Sequence, residues 1–250
     1  MINRVPCALI TGAAGGIGRD LVKIFAEAGY SVIATDCVES LELPETIPYL
    51  SVDLERFVNE VDYADVTIAA IMQLIGHSGL DVLINNAAIQ ILGGVDSLSR
   101  AEWKQSLDVN LTAPFLLTQA LLEPLEKVTG SVINVSSIHA RLTKRNFVAY
   151  ATTKAALSGL TCSMAVDMGD RIRVNAIEPA AVETPMLVAG FSEHPEILQQ
   201  LGGCHPQGRI GTTAEVAWLA LAVASGNLRF MHGACISLDG GISSRLHDSN

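Results

Sequence analysis

Short runs rich in Val and Ile alternate along the chain with longer segments in which apolar residues recur at helical spacing. The runs predict strands at Cys7–Thr11, Ser31–Asp36, Tyr49–Asp53, Asp81–Asn85, Ser131–Ser136, Arg173–Ile177 and Cys235–Leu238. The helical spacing predicts helices at Ile17–Ala28, Ala101–Leu125, Tyr150–Met168 and Thr213–Ser225, with Gly29 and Gly169 as stops at two of their C-termini. Strands separated by helices cannot close as hairpins. The pattern therefore predicts an α/β fold, a doubly wound parallel sheet of about seven strands between two helix layers. Because no linker, repeat or low-complexity tract interrupts the alternation, residues 1–250 are expected to form a single domain.

Composition sharpens this picture. Hydrophobic residues make up 49% of the chain and charged residues 17%, a balance suited to a sheet buried on both faces. The formal charge of -10, with 16 Lys and Arg spread along the chain, argues against nucleic acid and for a small-molecule partner. No apolar run reaches membrane-spanning length and the first residues do not read as a secretory signal, so the expected location is cytoplasmic. The 5 Cys and 6 His show neither CxxC nor HExxH spacing, and no metal site is expected.

In a doubly wound sheet, ligands sit outside the carboxyl ends of the strands. The segment Thr11-Gly12-Ala13-Ala14-Gly15-Gly16-Ile17-Gly18 leaves the first strand and opens the first helix. Glycines let backbone N–H groups approach a pyrophosphate there, and the helix dipole favours its charge. Asp36 ends the second strand, where a carboxylate can accept hydrogen bonds from the ribose hydroxyls of an adenosine. It would repel a 2′-phosphate, and with Cys37 next and no Arg in that turn the expected cofactor is NAD.

At the reacting end, Tyr150 and Lys154 lie one helical turn apart. A free phenol, with a pKa of about 10, holds its proton too tightly to act as a base near neutrality. An adjacent ammonium is expected to lower that value, which gives Lys154 its purpose. Ser137 follows the fifth strand and can place its hydroxyl against a substrate oxygen. Its neighbour Ser136 is the weaker candidate.

These stations, in this order and at these strand ends, resemble the classical short-chain dehydrogenase/reductase family across nearly the whole chain. The glycines follow its TGxxxGxG pattern, and Tyr150 to Lys154 its YxxxK. The resemblance implies a Rossmann fold and hydride transfer between nicotinamide and a carbinol carbon, with Tyr150 exchanging the hydroxyl proton. It also implies that Gly12, Gly16, Ile17 and Gly18 hold the cofactor phosphates and that Lys154 grips the nicotinamide ribose. Asp53 and Leu54 stand at the family's adenine-contacting position, and Asn85-Asn86-Ala87-Ala88 at its NNAG motif, with Ala88 replacing the glycine. Asn110 matches the asparagine that holds a relay water toward the lysine, unless it only bonds its own helix. Pro179, Val182 and Thr184 match the segment that contacts the carboxamide; Ala180 stands there for a glycine, and a positive φ would strain it. The C-terminal Leu238-Asp239-Gly240-Gly241 resembles a turn that often supports a homotetramer, so a tetramer or dimer is expected.

Between Ser137 and Tyr150 lie His139, Arg141, Lys144 and Arg145. They suit an anionic substrate or a solvated loop, and the sequence leaves both open. Gln90 and His139 are placed like the carboxylate contacts of the family's 3-hydroxybutyrate dehydrogenases, although Phe147 stands where those enzymes carry a lysine. An anionic hydroxy acid is thus the leading substrate class. A sugar or cyclic alcohol is the alternative, and a non-catalytic nucleotide-binding member of the fold the reading from another class. Residues 186–205 are expected to form a lid.

Overall fold

A computed structural model describes residues 4–185, 187 and 200–246 of the chain, and the expected lid at 186–205 lies largely outside them. Seven parallel strands run β1 Cys7–Thr11, β2 Ser31–Asp36, β3 Tyr49–Ser51, β4 Val82–Asn85, β5 Ser131–Val135, β6 Arg173–Pro179 and β7 Cys235–Leu238. They form one sheet in the order β3-β2-β1-β4-β5-β6-β7. The direction of winding reverses between β1 and β4, which pair from Ala8↔Val82 to Ile10↔Ile84 and open a crevice at their carboxyl ends.

Alternation along each strand sends side chains to two separate cores. Cys7, Leu9, Ile33, Leu83, Val132 and Val174 face one layer, while Ala8, Ile10, Val32, Ile84, Ile133 and Ile177 face the other. Both faces are covered, so the strands read as continuous apolar runs rather than alternating ones. Each fully buried Leu or Ile contributes about 1.5–3 kcal/mol by leaving water.

The helices are α1 Gly16–Glu27, α2 Leu54–Asn59, α3 Val61–Ile75, α4 Arg100–Leu107, α5 Ala113–Ala120, α6 Leu122–Glu126, α7 Val148–Met168 and α8 Thr213–Ala224. Gly29 and Gly169 close α1 and α7 with φ of +87° and +56°, as the sequence indicates. Two helices, α2 and α3, go beyond the sequence reading, and β3 stops at Ser51 because Asp53 turns to cap α2.

The single helix expected over Ala101–Leu125 is broken. A π turn at Asp108–Thr112 separates α4 from α5, and Leu121 (φ -102°, ψ 14°) separates α5 from α6. Pro114 supplies the physical reason for the first break. In an unbroken α-helix its nitrogen would bond the Asn110 carbonyl, and it carries no hydrogen. Among the described residues no helix is long and apolar enough to cross a membrane.

Candidate active site

The carboxyl ends of β1 and β4 are locked together by Thr11. Its hydroxyl accepts the N–H groups of Asn86 and Ala87, each at 3.0 Å. The Asn86 amide returns two bonds, to the carbonyls of Thr11 (2.9 Å) and Gly12 (3.0 Å). The glycine-rich turn is therefore fixed from below by its own threonine and by the asparagine after β4. Thr11 opens the motif, but its role as clamp was not read from the sequence.

Around this clamp the backbone packs too closely for side chains at the glycines. A Cβ on Gly12 (φ +68°) would stand 2.7 Å from the Ala87 Cα, and one on Gly16 2.8 Å from the Pro185 Cδ. Gly18 admits none, since a Cβ would fall 1.9 Å from the Gly12 carbonyl oxygen. Gly15 caps α1 without a side chain, and the first turn holds no acidic residue, so its N–H groups can meet an anion. Thr184 and Pro185 border the same helix start. Asp36 lies beside the turn, accepting the Ala14 N–H at 2.9 Å and the Cys37 N–H at 2.7 Å.

Other cofactor candidates divide. Asp53 caps α2, its Oδ1 accepting the N–H groups of Glu55 (2.9 Å) and Arg56 (3.1 Å). Leu54 turns its side chain into the core beside Phe57 and Ile71, which leaves only its backbone for an adenine ring. Ala88 is exposed on the loop after β4. Val182 is buried and bridged to Gly211, and the Thr184 hydroxyl accepts the Leu187 N–H at 3.1 Å. Ala180 carries no such strain: among the described residues the positive-φ residues other than glycine are Thr129 and Asn146. Ala180 instead continues the ladder, donating to the Leu238 carbonyl at 3.1 Å.

Asn110 and α7 build the reacting end. The Asn110 amide clamps Ile89, accepting its N–H and donating to its carbonyl, both at 2.8 Å, and also donates to the Thr153 hydroxyl at 3.1 Å. It does not bond its own helix. With the side chain engaged, the Asn110 group freed for other partners by Pro114 is the carbonyl. Lys154 is buried, donates from Nζ to the Val135 carbonyl at 2.8 Å, and lies 5.7 Å from the centre of the Tyr150 ring. Ser137 accepts the His139 N–H at 3.1 Å and neighbours the Tyr150 phenol. Ser136 is structural, donating to the Lys154 carbonyl at 2.9 Å.

The electrostatics amend one expectation. Burial pushes the Tyr150 phenol up, and it is the neighbouring Ser137 hydroxyl, rather than Lys154, that draws it back. The Lys154 ammonium, also buried, is itself pushed down to about 8.

Two of the four basic groups in the loop do not meet a substrate as free charges. Arg141 pairs with the buried Glu178 carboxylate and with Ser237. A carboxylate with 2% side-chain exposure needs a counter-charge, and Arg141, half exposed itself, supplies it. His139 stacks flat on Phe147 (4.5 Å between centres) and meets Tyr150 edge-on at 5.7 Å. Burial, helped by Lys144, pushes its imidazole down to about 4. Lys144 lies 4.6 Å over the Phe147 ring. Gln90 is exposed on the loop after β4, and that loop meets the residue before Phe147 where Gly93 donates to the Asn146 carbonyl at 2.8 Å. Glu178 was not foreseen; a lone acid inside the apolar run of β6 was its signal.

Comparison with known proteins agrees with this arrangement. The family model described as enoyl-(acyl carrier protein) reductase matches residues 12–243. The chain belongs to the short-chain dehydrogenase/reductase family. It is 36% identical to trans-4-hydroxycyclohexanecarboxylate dehydrogenase of Sinomonas cyclohexanicum, covering 94% of this chain and 91% of that one. Ligand-free aldohexose dehydrogenase of Thermoplasma acidophilum superposes with a TM-score of 0.91 at 30% identity, over 99% of this chain and 97% of that one. Two further short-chain dehydrogenase/reductase structures, each with a TM-score of 0.86, carry different nicotinamide cofactors. They are 4-hydroxyisoleucine dehydrogenase with NADH (27% identity, 96% and 100% coverage) and ElxO with NADP (26% identity, 97% and 100% coverage). Membership makes this protein an oxidoreductase acting on alcohol groups.

Proposed function

We propose that this chain is an NAD-dependent dehydrogenase of secondary alcohols in which Tyr150 carries the hydroxyl proton. The observation that carries the reading is the buried Lys154 ammonium 5.7 Å from the Tyr150 ring on the same helix face, with the Ser137 hydroxyl neighbouring the phenol. The cofactor would supply hydride exchange at its nicotinamide ring. Gly12, Gly16, Ile17 and Gly18 would hold its phosphates and Asp36 its adenosine ribose, a role that fits a carboxylate placed against the glycine turn. Pro179, Val182 and Thr184 would border the ring. Ser137 would bind the substrate oxygen, Lys154 would balance the Tyr150 phenolate, and that phenolate would take the hydroxyl proton and become the neutral phenol.

For the substrate, the structure favours a ring-borne alcohol over a small hydroxy acid. Arg141 is engaged by Glu178, His139 is neutral, and the wall beside Tyr150 is the stacked pair of His139 and Phe147. The similarity to a hydroxycyclohexanecarboxylate dehydrogenase supports the same choice.

The test is NADH formation from cyclic and acyclic secondary alcohols, each with and without a carboxylate. Cyclic alcohols should give the higher kcat/KM, and a preference for acyclic hydroxy acids would overturn the substrate reading. Tyr150→Phe should lower kcat about 10²–10⁴-fold with NADH affinity unchanged; a variant that keeps its rate would remove Tyr150 from the chemistry.

A further inference from the structure

One face of α7 lies against the chain that enters β7, and the contact is set at three successive points. The Cys235 thiol donates to the Ser158 carbonyl at 3.7 Å, and the Cys162 thiol donates to the Gly233 carbonyl at 3.6 Å. One turn further along α7, a Cβ built on Gly233 would stand 3.2 Å from the Ala165 Cβ. Ser158, Cys162 and Ala165 share a helix face at spacings of four and three residues. The thiols therefore cross, each reaching the backbone beside the other. Cys162 is exposed and Cys235 partly buried. Neither belongs to the cofactor or proton machinery.

We propose that Cys162 and Cys235 form a redox-active dithiol, a modification site at which a hydroperoxide closes a reversible disulfide between α7 and β7. Exposure makes Cys162 the sulfur that the oxidant meets. Its thiolate attacks one peroxide oxygen, the O–O bond breaks, and the leaving oxygen departs as water or alcohol after taking a proton. The Cys235 sulfur then attacks the Cys162 sulfenic acid, the S–O bond breaks, and water leaves with the Cys235 proton. Two thiols lose two electrons in total, and the peroxide gains them. Burial and the neighbouring Cys162 push the Cys235 thiol up to about 11, which suits it to this second, proximity-driven step rather than to first attack. Closing the bond would withdraw both sulfurs from their carbonyl partners.

The test treats the full-length protein with hydrogen peroxide, blocks free thiols, and maps cysteines by mass spectrometry under non-reducing conditions. The expected product is one intramolecular cross-link joining the Cys162 and Cys235 peptides, with the loss of two hydrogens, reversed by dithiothreitol. It should fall to background in Cys162→Ser and in Cys235→Ser. Either of two outcomes would overturn the proposal. One is sulfinic or sulfonic acid at Cys162 with Cys235 still free; the other is a Cys162–Cys162 bond between chains. The wild-type measurement decides this even if a variant folds poorly.

Discussion

Arg141 reaches past the active-site cleft to the buried carboxylate of Glu178, so the loop that presents Ser137 and His139 is tied to the strand that leads into Pro179 and Val182. Glu178 extends the tie inward. Its Oε1 accepts from the Ser158 hydroxyl at 2.8 Å, and Ser158 meets Ser136 at 2.9 Å beneath Lys154. The proposed substrate side and cofactor side of the cleft therefore share one polar network.

Removing Arg141 leaves a carboxylate almost without solvent and short of a partner. Arg141→Ala should cost about 1–3 kcal/mol of stability, the guanidinium itself being half exposed and screened by water. Lys144→Ala, which removes an exposed cation from the face of Phe147, should cost less than about 1 kcal/mol. Urea denaturation of the two variants compares them directly, and equal losses would mean that the tie to Glu178 contributes nothing special.

The glycine turn makes a sharper division. Gly18→Ala places a methyl group 1.9 Å from the Gly12 carbonyl, backbone that cannot move without opening the turn, and should destabilise the protein by about 3 kcal/mol or more. Gly16→Ala meets instead the Pro185 ring at 2.8 Å and Thr184 at 3.2 Å. That substitution should push the Thr184–Pro185 segment off the helix start, lower the melting temperature less than Gly18→Ala does, and weaken NADH binding about tenfold or more, since the segment borders the turn proposed to hold the phosphates. Thermal melts and NADH fluorescence titrations separate the two. A Gly16→Ala protein that binds NADH normally would put the phosphates elsewhere.

Much of this was legible in the chain because strand ends and glycine spacing are local signals. The seven strands and the Asp36 and Tyr150 positions follow from apolar runs and from what stands immediately after them. The break at Asp108–Thr112 was not read, although Pro114 announced it, because helical periodicity continued on both sides. The roles of Arg141 and Glu178 could not be read, since 37 positions separate them and only the β5–β6 pairing brings them together. By sequence His139 is one of four basic groups; its imidazole is pushed down by burial, and the stacking on Phe147 that accompanies it is a contact that no spacing rule supplies.

Asp36 carries two kinds of bond, and its replacement should reveal both. Asp36→Ala removes the acceptor for the Ala14 and Cys37 N–H groups, which should cost about 1 kcal/mol or more. It also removes the charge that would repel a 2′-phosphate, so the ratio of kcat/KM for NAD to that for NADP should fall about tenfold or more. Steady-state kinetics with both cofactors give the ratio, and an unchanged value would dissociate Asp36 from the ribose.

The imidazole of His139 offers a pH test of the same cleft. Its ordinary value of 6.5 is pushed down to about 4 in the folded chain, by burial first and by Lys144 second. Between those values the unfolded chain binds the proton and the folded chain does not, so stability is full above 6.5 and falls as the pH drops toward 4. For a partly exposed ring the loss is on the order of 1–2 kcal/mol after solvent screening. His139→Asn should therefore flatten the acid limb of the stability curve relative to the parent. NMR titration should find the parent ring neutral throughout pH 5.5–8, while a midpoint near 6.5 would show an accessible cation. Neutrality in that range has a kinetic consequence: KM for a carboxylate-bearing alcohol should show no step from His139, because any charge that meets the carboxylate must come from Lys144 or Arg145.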